Sequence, residues 1–204
     1  MPHLARLGVD ALWLSPFYTS PQNDGGYDVA DYRDIDPIFG TLADAEEMIN
    51  RAHELGLRVI VDLVPNHTSD EHEWFRAALA AGPGSPERDR YWFRESEEIP
   101  NNWRSIFGGP AWTRVCDRPD APGSAWENDQ QWYLNLFDSS QPDLNWNNPE
   151  VADEFDSILR FWLDRGVDGF RVDVAHSLVK APGLPDDDEE QRLLSGLAGP
   201  MWDQ

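Results

Sequence analysis

Residues 55–67 read Leu-Gly-Leu-Arg-Val-Ile-Val-Asp-Leu-Val-Pro-Asn-His. A glycine suits the left-handed position that follows a helix end, and a short strand with so little polar content belongs to a sheet buried on both faces. The same grammar occurs twice more. Arg6-Leu7-Gly8 leads into Ala11-Leu12-Trp13-Leu14, and Arg165-Gly166 leads into Gly169-Phe170-Arg171-Val172. Upstream of the quoted strand, Leu42, Ala45, Met48, Ile49, Ala52 and Leu55 fall on one helical face, with Thr41 placed to cap a helix from about 42 to 55. Upstream of the third strand, Asn148-Pro149 starts a helix that buries Phe155, Ile158, Leu159 and Trp162. Strand, helix, strand, helix in this order predicts an α/β fold with a parallel sheet.

Between Thr68 and about Trp146 the pattern breaks into Trp, Gly, Pro, Asn and Asp with no sustained period. A loop of that length is foreign to a compact domain, so the stretch reads as an inserted subdomain. The acidic run Asp186 to Glu190, preceded by Pro182 and Pro185, reads as a solvated excursion. Trp13 and Trp162 are expected in the core. Aromatics of the insert, such as Phe107, Trp112 and Phe137, are candidates to line a cleft, although packing is the ordinary role of each taken singly.

Composition narrows the partners. The 204 residues carry 38 acidic and 16 basic side chains, a formal charge of −22. Nucleic acid and acidic membrane surfaces are poor partners for such a chain. Lys180 is the sole lysine, so there is no polybasic anchor. The sequence is 40% apolar with ten tryptophans, enough to bury a core. The single Cys116 has no disulfide or zinc partner, which suits a reducing, cytoplasmic setting. No stretch is apolar enough for a membrane span, and Met1 to Ser20 lacks the apolar block of a signal peptide. The true N-terminus is expected to lie upstream of Met1.

In parallel α/β folds chemistry gathers where strands end. After the first strand comes Gln22-Asn23-Asp24-Gly25-Gly26-Tyr27-Asp28, after the second Asp62 to His67, and after the third Arg171-Val172-Asp173-Val174-Ala175-His176. Arg171 and Asp173 are two apart and leave a strand on the same face. A guanidinium there favours and holds a carboxylate nucleophile. Singly, each group has a plain alternative: a structural ion pair for Arg171 and Asp173, a hydrogen-bonded histidine for His67, turn residues for Asp24 and Asp28. Three such groups at three successive strand exits weaken those alternatives together.

Four motifs then fall in order: Asp-Gly-Gly-Tyr-Asp at 24–28, Asp-Leu-Val-Pro-Asn-His at 62–67, Gln-Pro-Asp-Leu-Asn at 141–145 and Gly-Phe-Arg-Val-Asp-Val at 169–174. They resemble the conserved regions of glycoside hydrolase family 13, in the α-glucosidase and oligo-1,6-glucosidase branch of the α-amylase family. The resemblance implies a (β/α)8 TIM barrel with an irregular domain B after the third strand. On that frame residues 1–67 run from the end of helix 1 to strand 3, 68–145 form domain B, and 146–204 supply helix 3, strand 4 and the following loop. It also implies Asp173 as nucleophile with Arg171 beside it. Asp24, Tyr27 and His67 would hold the glucose at the non-reducing end, Phe107, Phe137 and Gln141 would close the pocket, and Asn66 would be structural. Val174, the position after the nucleophile, tends to be valine in relatives that cut α-1,6 links.

The resemblance implies a small oligosaccharide or disaccharide substrate and no cofactor. The calcium loop that some relatives carry after the first strand is absent from the sequence. So are the family's glutamate general acid and its later His-Asp pair; Glu127 matches no family acid. The chain is therefore expected to be a fragment of a retaining α-glucosidase, inactive alone. Alternatives are a transglycosylating relative of isomaltulose or trehalose synthase type, or a non-catalytic glucoside-binding fragment.

Overall fold

A computed structural model describes residues 1–187. In chain order these form α1 (Pro2–Leu7), β1 (Ala11–Leu14), β2 (Tyr18–Thr19), β3 (Asp31–Ile35), α2 (Leu42–Glu54) and β4 (Arg58–Leu63). Then follow α3 (Glu73–Ala81), β5 (Phe93–Arg94), β6 (Trp112–Arg114), β7 (Trp132–Leu134), α4 (Pro149–Leu163) and β8 (Gly169–Val172). The three strands expected from sequence, β1, β4 and β8, make one parallel sheet with β4 central. Among the described residues the sheet remains open and closes no barrel.

Local chemistry sets the helix ends. The Thr41 hydroxyl accepts from the Asp44 amide while the Asp44 carboxylate accepts from the Thr41 amide, a reciprocal cap on α2. α2 closes at Glu54, one residue short of the expected Leu55, which serves as its C-cap. Asn148 caps α4 through the Glu150 amide, with Pro149 in the first turn. Gly166 after α4 has φ 93°, and a Cβ there would lie 3.2 Å from the Ile49 side chain of α2. Only glycine lets the chain turn there while the two helices stay close.

α2 and α4 cover one side of the structure. Val59, Val61 and Leu63 of β4 are buried with Ile49 and Ala52 of α2, and with Phe155, Ile158 and Trp162 of α4. The other face of the sheet, which carries Trp13, Asp62 and Arg171, has no helix over it among the described residues. Trp13 is consequently 55% exposed, against the expectation of a core position, while Trp162 is fully buried. Leu159 is only partly buried, and Val151 joins the α4 core in its stead.

The insert is more ordered than its sequence suggests. α3 buries Phe75, Ala78 and Leu79, and β5, β7 and β6 pair as a small antiparallel sheet. A nine-residue helix offers too few turns to show a period. Trp92, Trp103, Trp112, Leu134 and Leu136 form a second core, joined by Leu184. Of the run 186–190, expected to be solvated, Asp186 is exposed as expected and Asp187 is buried against the insert, which corrects that expectation there. The Asp187 amide donates to Asn102 Oδ1, the Asn102 amide donates to Asp186 Oδ1, and the Trp103 indole donates to the Pro185 carbonyl. Asn102 and the Trp103 indole of the insert thus take up polar groups that a solvent-facing run would leave to water. Asp188, Glu189 and Glu190 lie outside the described residues.

Candidate active site

The β4 and β8 register sets Asp62 opposite Arg171. Arg171 Nη1 reaches both Asp62 oxygens, at 2.9 and 3.1 Å, and Asp173 Oδ1 at 2.5 Å. One guanidinium thus clamps two carboxylates. On the other side of Asp62, the Tyr27 hydroxyl donates to Oδ2 at 3.0 Å. Asp62 is fully buried and accepts from both neighbours, an arrangement only the carboxylate form satisfies. Burial pushes its carboxyl up from the ordinary range, against the pull of Arg171 and Tyr27. The hydrogen bond to Asp62 keeps Arg171 charged, and burial followed by that same carboxylate pushes the Tyr27 hydroxyl up to about 12.

Tyr27 is delivered by the glycine loop. Gly26 has φ 98°, and a Cβ there would lie 2.9 Å from the Pro16 carbonyl oxygen, so the loop packs against the exit of β1 at a distance no side chain permits. Asp28, also fully buried, gathers Ser20 Oγ and the amides of Asn23 and Asp24, which fixes the loop.

His67 sits in the next layer. Its Nδ1 faces the Asn66 side-chain amide at 3.1 Å, and its Nε2 lies 3.2 Å from the Tyr27 carbonyl. These partners assign the proton to Nε2. Burial lowers its pKa, so the ring is neutral near pH 7. Gln141, fully buried, donates to Asp24 Oδ2 at 2.9 Å and has its amide nitrogen 3.2 Å from His67 Nε2. With both nitrogens carrying protons, the second approach is a contact and not a hydrogen bond. Phe137 stacks obliquely on His67 at 5.0 Å between centroids, and Phe107 meets Phe137 edge-on at 5.8 Å while remaining 58% exposed.

Nine residues assigned to the site from sequence therefore lie in one string of neighbours, while Trp112, the other cleft candidate, is buried in the second core. The string runs from Phe107 and Phe137 through His67, Gln141 and Asp24 to Tyr27, then through Asp62 to Arg171, Asp173 and Val174. Asp62 is the link that sequence reasoning quoted in a motif but left out of the site. A second omission lies beneath. Lys180 Nζ, fully buried, donates to Asp143 Oδ1 at 2.9 Å, to Asn66 Oδ1 at 2.8 Å and to the Ser177 carbonyl. The Asn66 amide also donates to Asp143. This hub ties the insert to the ends of β4 and β8, and the one signal for it was a lone lysine in an arginine-rich chain. Among the described residues no group of His, Cys, Asp and Glu is arranged to hold a metal ion. An apolar groove of about 390 Å³ along β1, lined by Trp13, Phe17, Phe39 and Met48, adjoins this cluster through Trp13, whose ring lies 5.7 Å from the Arg171 guanidinium.

A family model for the α-amylase catalytic domain matches residues 1–201. The chain belongs to glycoside hydrolase family 13, the α-amylase family. Within it, the chain is 49% identical over 189 residues to trehalose-6-phosphate hydrolase of Escherichia coli, covering 92% of this chain and 32% of that protein. It is 47% identical to oligo-1,6-glucosidase of Parageobacillus thermoglucosidasius, covering 91% and 31%. The crystal structure of trehalulose synthase from Pseudomonas mesoacidophila superposes with a TM-score of 0.84 at 41% identity, covering 93% of this chain and 32% of that one. The chain thus spans about a third of the length of these α-amylase family relatives.

Proposed function

We propose that this α-amylase family chain is the nucleophile-bearing segment of a retaining α-glucosidase acting on short α-glucosides. On this reading the parallel sheet supplies strands 2 to 4 of a TIM barrel, and the insert is its domain B. The observation that carries the proposal is the Arg171 clamp, which holds Asp173 beside the Asp24, Tyr27, His67 and Gln141 cluster. Asp173 attacks the anomeric carbon and forms a glycosyl ester; water then releases the sugar with retention. Arg171 aims the carboxylate, and Asp24 and His67 bind sugar hydroxyls. Phe107 and Phe137 offer aromatic faces at the rim.

A retaining site needs a second carboxyl roughly 5 Å from the first to protonate the leaving oxygen. Asp62 is unsuited, because both its oxygens are engaged by Arg171 and Tyr27 and it has no exposure. On the family resemblance the acid is a glutamate supplied by a later strand of the full-length enzyme, and we propose that the 204-residue chain alone is inactive. Hydrolysis of p-nitrophenyl α-glucoside by the isolated chain, lost in Asp173→Asn, refutes that part.

Linkage follows from Val174. A β-branched apolar wall beside the reacting carbon limits where the second sugar lies, a discrimination worth ~1–3 kcal/mol. The full-length enzyme should favour isomaltose over maltose by a modest factor in kcat/KM, and Val174→Thr should shift the ratio toward maltose. An unchanged ratio leaves Val174 without a part in specificity. The likeness to trehalulose synthase supports a second reading, transglycosylation, and adding sucrose and trehalose 6-phosphate to the same panel separates it by product.

A further inference from the structure

The chain leaves β8 through a backbone conformation that its sequence disfavours. Val174 has φ 48° and ψ 35°, in the left-handed region. Only Gln22 and Leu184 share a positive φ among the described residues that are not glycine. A β-branched side chain is an outlier there, because its Cβ crowds the following carbonyl, and such conformations persist only where the surroundings fix them.

What fixes this one is Ser177. The Asp173 amide makes the last bond of the sheet, to the Leu63 carbonyl at 2.8 Å, so the chain is anchored up to the residue before the turn. After the turn, the Ser177 amide donates to the Val174 carbonyl at 3.0 Å. The single proton of the Ser177 hydroxyl is shared between that same carbonyl at 2.9 Å and Asn66 Oδ1 at 2.7 Å, and the Ser177 carbonyl accepts from Lys180 Nζ. Ser177 is fully buried, so no water competes for these bonds. Asn66 in turn contacts the His67 ring at 3.1 Å. The hydroxyl therefore joins the turn that follows Asp173 to the layer that carries His67.

We infer that Ser177 is a positioning residue for the nucleophile, acting through the left-handed turn at Val174. The inference rests on Asp173 being that nucleophile. Without the hydroxyl, Val174 relaxes toward negative φ, the peptide after Asp173 rotates, and the carboxylate leaves the line set by Arg171. Substrate binding, which uses Asp24, His67 and Gln141, is little affected.

The test is Ser177→Ala in the full-length enzyme, assayed well below its melting temperature. Expected are a fall in kcat of about tenfold or more with KM within about twofold, and a crystal structure in which residue 174 has left the left-handed region. A kcat within twofold of wild type, or a lost kcat with the turn unchanged, overturns the inference. Should Ser177→Ala fail to fold, Val174→Asn tests the strain by itself. Asparagine tolerates this conformation, so Tm should rise by about 2 °C, and a lowered Tm overturns the strained turn. Absence of hydrolysis by the wild type refutes the glucosidase reading instead, a result on which the φ and Tm measurements do not depend.

Discussion

Replacing Lys180 by methionine removes a buried cation while keeping a long apolar stem. In the wild type Lys180 Nζ serves three acceptors: Asp143 Oδ1, Asn66 Oδ1 and the Ser177 carbonyl. The substitution leaves Asp143 as a fully buried carboxylate supported, among the described residues, by the Asn66 side chain and the Leu136 amide. Breaking one partner out of a buried ion pair costs about 3–5 kcal/mol, because the remaining charge is uncompensated. At roughly 2–4 °C per kcal/mol for a protein of this size, Tm should fall by about 6–20 °C. Burial lowers the Lys180 pKa yet the carboxylate beside it holds the proton on, so the loss should be insensitive to added salt. Thermal unfolding followed by circular dichroism reads the effect in the 204-residue chain itself. The double variant Lys180→Met with Asp143→Asn removes the stranded charge and should be more stable than Lys180→Met alone by at least about 1 kcal/mol. A single variant that melts within about 2 °C of wild type, or a double variant no better than the single, refutes the hub as the tie between insert and sheet.

Two further outcomes follow from the same geometry. His72 caps α3 by accepting from the Trp74 amide, and burial lowers its pKa from 6.5 to about 4. Its folded pKa is depressed, so its share of stability is complete above about pH 6.5 and is lost as pH falls toward 4. At 1.36 kcal/mol per unit this is on the order of 3 kcal/mol. His67 acts in the same direction, so His72→Asn, which keeps a capping acceptor, should flatten part of the slope between pH 6.5 and 5 in denaturant titrations. A slope identical to wild type would remove His72 from the account. Asp62→Asn should lower kcat/KM of the full-length enzyme by about a hundredfold, since it leaves Arg171 and Tyr27 facing an amide that meets neither fully. A change of under twofold would show that Asp173 needs no such clamp.

What could be read in the sequence was whatever is local. Gly8, Gly56 and Gly166 marked helix ends, and all three take positive φ in the structure. Thr41 announced a cap and Asn148-Pro149 a helix start, because capping needs only a side chain and an amide two or three residues on. The motif residues at 24–28, 62–67 and 171–174 came together because they lie at or beyond the ends of the parallel sheet's strands, whereas Gln141 reaches them from the insert. What escaped depends on register and on what covers a face. Asp62 faces Arg171 only because β4 and β8 pair in one particular register. Trp13 looked like core because its strand is apolar, but burial depends on which face a neighbour covers, and the uncovered face carries it beside the Arg171 guanidinium at 5.7 Å. Lys180, Asn66, Ser177 and Asp143 met through long-range contacts that no periodicity encodes.

The most direct measurement is the site of covalent labelling. Incubating the full-length enzyme with a mechanism-based fluoroglucosyl fluoride traps the glycosyl ester, and peptide mass spectrometry then locates it. A fluoroglucosyl adduct is expected on Asp173 and absent in Asp173→Asn. Label on Asp62, Asp24 or any other carboxylate, or turnover that persists in Asp173→Asn, would contradict that expectation.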